Sequence, residues 1–112
     1  MRAADSREEP EMILCYTTCK GNAEAKRIAK HLLGKKLIAC ANVFEIRALY
    51  RWKGTLCDEP ECFLLMKTQA KHWAAVQREI RKVHSYELPA IVRLSARAGA
   101  DFDKWVTAET KR

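Results

Sequence analysis

CDEPEC, residues 57–62, lies between IRALYRW (46–52) and FLLMKT (63–68), and its reading decides the fold. Both flanks are rich in strand formers, so the polar, proline-containing stretch between them is a hairpin turn, a disulfide, or a two-cysteine metal clip. As a turn, with 58–61 as a four-residue polar loop, it joins two antiparallel strands. Cys57 and Cys62 then face each other across the mouth of the hairpin.

Working outward, MILCYTT (12–18) is short, apolar and suited to a buried strand. Asn22 is placed to cap a helix in which Ala25, Ile28, Ala29 and Leu32 recur at helical spacing, ending near Lys36. Residues 37–53 hold LIACANVF and IRALYRW, which read as one long strand with a bend or bulge between them. Beyond the hairpin, Thr68 is the expected cap of a second helix with Trp73, Val76, Ile80 and Val83 on one face. LPAIVRL (88–94) is the fourth strand, with Pro89 marking a sheet edge or the first paired residue. A short helix over 101–107 packs Phe102 and either Trp105 or Val106, with Trp105 assigned to the core.

The order is β-α-β-β-α-β plus a short C-terminal helix, an α+β ferredoxin-like sandwich. Its helices cover only one sheet face. Strands as apolar as MILCY, IACANVF and FLLMK are poor candidates for solvation, so a second copy is expected on the other face.

With 112 residues, 48% of them hydrophobic, the chain supports one core, expected over 12–112, with residues 1–11 as a disordered tail. The charge of +7 comes from 21 Lys and Arg interleaved with 14 Asp and Glu, which forms no basic arm, so nucleic acid is not an expected partner. No apolar run reaches the length of a membrane span. Five cysteines, an odd number without repeated spacing, point to reduced thiols and a cytoplasmic protein. No Ser-His-Asp set, phosphate loop or cofactor fingerprint is present in the sequence, so enzymatic activity is not expected.

In order along the chain, KLIACAN (36–42), YRWKG (50–54), LLMKT (64–68), HSYELP (84–89) and DFDKWV (101–106) resemble the CutA family, the divalent-cation tolerance proteins. The resemblance runs from about residue 12 to the end. It implies a ferredoxin-like homotrimer, joined by long hairpins, with ligand clefts between subunits like those of the PII-type signalling proteins. It favours a turn with two free thiols over a disulfide or a metal clip, because the family's hairpin tip is an acidic run that places Cys57 at a usually acidic position and Cys62 at an apolar strand position; two sulfurs alone also supply only half a tetrahedral zinc shell.

The resemblance further implies a divalent metal, copper or zinc, held by a first-strand thiol and a pair of adjacent histidines. Here His84, which by itself reads equally as a ligand or as a cap on the C-terminal dipole of the second helix, stands alone, with Val83 before it and Ser85 in place of the usual Pro. The thiol position most nearly matches Thr17, with Cys15 and Cys19 beside it, and Ala90 replaces a frequent Glu. The expected metal set is therefore His84, Cys15 and Cys19, a depleted one.

Lys67, where a strand enters a helix, is placed to hold a small anionic effector or else to be solvated. Tyr50, Trp52 and Tyr86 either stack on a ligand or pack at an interface, with the interface favoured for Trp52. Cys40 reads as a small buried hydrophobe, and His31 and His72 have no partner at ligand spacing. A trimeric scaffold that docks and localises other proteins is the alternative function.

Overall fold

Strict alternation sets the first element. In β1 (Met12–Cys19), Ile13, Cys15, Thr17 and Cys19 are fully buried, while Leu14, Tyr16 and Thr18 are half-buried on the opposite face. The computed structural model describes residues 12–112, so the expected tail at 1–11 lies outside the described residues. After β1 come α1 (Asn22–Gly34), β2 (Cys40–Trp52), β3 (Thr55–Gln69), a 3-10 turn (Ala70–His72), α2 (Trp73–Val83), β4 (Val92–Ser95) and α3 (Ala100–Glu109). The sheet order is β2-β3-β1-β4 with every neighbouring pair antiparallel, the split βαβ arrangement of the ferredoxin-like fold.

The helices cover one face. Ala25, Ile28, Ala29 and Leu32 of α1 join Val76 and Ile80 of α2 over Cys15, Cys19, Cys62, Leu64 and Met66. Burying Ile28, Leu32 and Leu64 completely contributes on the order of 2 kcal/mol each. α1 ends in a Schellman motif: Leu37 N–H donates to Leu32 O and Lys36 N–H to Leu33 O, both at 3.0 Å. Lys36 takes the left-handed conformation there, at φ 58°, and Leu37 and Ile38 drop into the core before β2 begins. The N-cap is Gly21 rather than Asn22.

The hairpin corrects the opening expectation. Its turn is Lys53 and Gly54, whose φ values of 50° and 81° are both positive, as a two-residue type I′ turn requires. CDEPEC is therefore strand. β2 and β3 pair without interruption from Cys40 opposite Lys67 to Trp52 opposite Thr55, and no bulge breaks them. Cys57 and Cys62, five residues apart on one strand, point to opposite faces instead of facing each other. Pro60 is tolerated because β1 pairs with β3 only from Cys62 onward, which leaves this stretch an edge strand.

Other boundaries also move. Thr68 is not a cap: its buried hydroxyl donates to Leu37 O at 2.6 Å. β4 is only four residues long, beginning after Pro89, and pairs with Ile13 to Tyr16 at the sheet edge. In α3 the buried residue is Val106, whereas Trp105 and Phe102 are 42% and 40% exposed and pack on each other at 5.5 Å. Trp105 thus leaves the expected core. Cys40 is half-buried.

The helix-free face carries α3 near one end, where Val106 packs with Met12, Ala39 and Leu14. Elsewhere it is apolar and open. Phe63 stacks on Tyr16 at 4.6 Å and on Phe44 at 5.0 Å, with Phe44 47% and Leu94 49% exposed.

Between the helices, Glu79 is a buried carboxylate that accepts from His31 Nε2 at 2.8 Å and Lys82 Nζ at 3.1 Å, with Lys35 at 3.8 Å. These hydrogen bonds to His31 and Lys82 lower its pKa from 4.5 to about 2. A lowered carboxyl contributes stability above its unfolded pKa and loses it as the pH falls through the folded one. The contribution should be complete above pH 4.5 and fade towards pH 2. Acid unfolding followed by circular dichroism should show a shallower pH slope in that window for Glu79→Gln than for the wild type.

Candidate functional site

The loop after α2 returns to the end of β1 through His84. Its Nε2–H donates to Thr18 O at 2.9 Å, and its Nδ1 accepts from Tyr86 N–H at 3.1 Å, which assigns the proton to Nε2. The side chain is wholly buried, and Nδ1 lies 3.8 Å from Glu24 Oε2. Glu24, in the first turn of α1, accepts from Lys20 N–H at 3.1 Å and from Ser85 N–H at 2.7 Å. Burial pushes its carboxyl pKa up, but the Ser85 and Lys20 donors and nearby His84 outweigh that and hold it below 4.5.

Cys19 completes a cluster. Its sulfur, a Glu24 oxygen and a His84 nitrogen all lie within 4.8 Å of one another. Burial first, then Glu24, Cys62 and Glu61, push the Cys19 thiol up to about 12, so it is protonated at neutral pH. The donor types fit a borderline or soft cation: thiol, imidazole and carboxylate. Each enters with a competing partner, so a cation must displace the Tyr86 N–H from Nδ1 and the proton from the thiol.

Cys15, expected beside His84, is fully buried and does not belong to this cluster. Thr17 is also fully buried, and its hydroxyl is the buried side-chain polar atom left without a partner among the described residues.

A cavity of about 720 Å³ opens between the hairpin arm and the 85–90 segment, lined in part by Tyr50, Trp52, Tyr86, Arg47 and Glu61. Tyr86 donates its phenol to Glu61, and burial followed by that bond raises the phenol pKa. Tyr50 donates to Glu59 at 2.5 Å, which holds its proton in place. Three of the four expected cleft residues are thus brought together. Lys67 is not: its ammonium donates to Asn42 Oδ1 at 2.6 Å, away from the cavity walls. Of the cavity's charges, Arg47 is bound to Asp58 at 2.7 Å.

Sequence reasoning missed Glu24. The available signal was an acid in the first turn of a helix, three residues after Gly21, the spacing at which a side chain reaches back to the chain entering the helix.

Fold and site together define a ferredoxin-like α+β protein with a Cys–Glu–His donor cluster beside an open cleft. Comparison with known proteins refines this: the chain belongs to the CutA1 divalent ion tolerance protein family, which matches residues 13–109. It is 37% identical over 102 residues to the divalent-cation tolerance protein CutA of Pyrococcus horikoshii, covering 90% of this chain and 100% of that protein. It is 36% identical over 106 residues to the CutA homolog of Xenopus laevis, covering 93% and 70% respectively. The crystal structure of CutA1 from Ehrlichia chaffeensis matches with a TM-score of 0.87 at 33% identity, over 94% of this chain and 100% of that one. The CutA of Archaeoglobus fulgidus, described as periplasmic, matches at 0.87 and 34% identity, over 89% and 99%.

Proposed function

We propose that this protein is a homotrimer that binds a divalent or soft metal cation through Cys19, Glu24 and His84, and that it takes part in tolerance of such ions by binding, without turnover. The observation that carries this reading is the convergence of three ligand-type side chains within 4.8 Å in a chain of the divalent ion tolerance family. The trimer is supported by the apolar sheet face around Phe63 and by an arm whose Leu49 and Leu56 are 66% and 64% exposed. A cation is favoured over a small anionic effector because the converging side chains are a thiol, a carboxylate and an imidazole, while Lys67, the expected anion holder, donates to Asn42 away from the cavity.

We place the protein in the cytoplasm, where thiols stay reduced, in keeping with five free cysteines. Among the described residues no helix is long and apolar enough to cross a membrane.

Soft thiolate favours copper(I), with zinc next. Because the Cys19 proton must leave, apparent affinity should rise roughly tenfold per pH unit near neutrality. Competition titrations with zinc and copper(I) at several pH values test this. Cys19→Ser should bind far more weakly and lose most of the pH slope. Saturable binding that is indifferent to Cys19→Ser would refute the assignment. Absence of saturable binding to the wild type would leave the trimer as a docking scaffold.

A further inference from the structure

Cys62, on β3, has a cysteine opposite it. In the β1–β3 register Cys19 and Cys62 are direct partners, and alternation puts both side chains on the helix-covered face. Both are buried, 0% and 3% exposed, in the same core cluster. Directly opposed residues of an antiparallel pair have Cα atoms about 4.5–5.5 Å apart, within the span of about 4.4–6.8 Å that a disulfide bridges. The other thiols have no such partner in register: Cys15 opposes Met66 and Arg93, Cys40 opposes Lys67, and Cys57 opposes Tyr50.

We propose that Cys19 and Cys62 are an oxidisable pair, joined by a two-electron oxidant of the peroxide class into a cross-strand disulfide that withdraws Cys19 from the donor set. The loss of metal donors rests on the metal reading above; formation of the bond does not.

Access orders the steps. Cys62, and not Cys19, lines a second cavity of about 430 Å³ with Lys20, Gly21, Arg47 and Glu61 at its walls. The Cys62 sulfur attacks a peroxide oxygen, the O–O bond breaks, one water leaves, and a sulfenic acid remains. The Cys19 sulfur then attacks that sulfur, the S–O bond breaks, and the hydroxyl leaves as a second water with the Cys19 proton. Peroxide is reduced by two electrons, and the two thiols supply them. Burial raises both thiols, so the pair should respond to sustained oxidant and not to traces.

The test uses the folded 112-residue chain treated with hydrogen peroxide, alkylated in denaturant and mapped by mass spectrometry. The expected product is a peptide linked through Cys19 and Cys62, with two of the five thiols shielded from alkylation and recovered on reduction. Cys57→Ala should link as the wild type does, and Cys62→Ala should not link at Cys19. Zinc affinity should fall at least tenfold on oxidation and return on reduction. Five alkylatable thiols after treatment, or linkage through another cysteine, would overturn the pair. A disulfide that forms while zinc affinity stays constant would overturn the withdrawal of donors and the metal reading with it, leaving the pair intact.

Discussion

Phe63→Asp should release folded monomers. Phe63 occupies the centre of the uncovered face, stacked between Tyr16 and Phe44, and it is half-buried even within one chain. In a trimer that face is covered, so an Asp there would be a carboxylate taken out of water without a partner. Central aromatic positions of this kind are worth about 3 kcal/mol or more, a rise in dissociation constant on the order of 100-fold or greater. Helix packing lies on the other side of the sheet, through Leu64 and Met66, so the subunit should keep its secondary structure. Light scattering should report a mass near 12.9 kDa, together with a lower unfolding temperature because assembly no longer supports the fold. A trimer that persists with Asp at position 63 would remove this face from the interface.

His84→Ala should have a second large effect, on stability and binding together. The resemblance to the family makes His84 a metal ligand, and its buried ring also connects Thr18 O, Tyr86 N–H and the neighbourhood of Glu24. Truncation leaves a void, a carbonyl and an N–H without their partner, at a cost of about 3 kcal/mol. For a domain of this size that is a fall of roughly 10 °C or more in unfolding temperature. His84→Gln separates the two roles, since its amide can still donate to Thr18 O without supplying an imidazole. It should recover most of the thermal stability and little of the metal affinity. A stable His84→Ala variant would mean that the ring does not fasten the loop to β1, and full metal affinity in His84→Gln would remove the imidazole from the donor set.

The layers of the fold were legible because burial follows simple periods. Ala25, Ile28, Ala29 and Leu32 at helical spacing are buried as the pattern requires, and the apolar run MILCYTT forms the buried strand expected of it, although its composition did not say that Ile13, Cys15 and Thr17 would face the helices. The hairpin was misread because Asp58, Glu59, Pro60 and Glu61 are all turn-like or charged, while an edge strand that projects past its neighbour can carry such residues. The true turn had one local sign, Gly54, which accepts the positive φ.

For the C-terminal helix the sequence leaves Trp105 and Val106 as alternative inward residues and favours Trp105, whereas Val106 is the one fully buried. The candidate donor cluster was legible only by halves. His84 and Cys19 are conspicuous residue types, but Glu24 becomes a neighbour of both only when the 84–85 segment closes over the start of α1. Cys62 likewise meets Cys19 through a register that no local pattern encodes.

The central claim is a metal held by Cys19, Glu24 and His84 in each subunit of a trimer. Native mass spectrometry of the reduced protein, titrated with zinc at neutral pH, tests assembly and stoichiometry in one spectrum. The result predicted is a trimer that fills to three zinc ions, each displacing a proton from a thiol, with Cys19→Ser remaining a trimer that takes up none over the same range. A trimer that stays metal-free at zinc concentrations sufficient to saturate weak protein sites, or a wild type and Cys19→Ser that load alike, would contradict it.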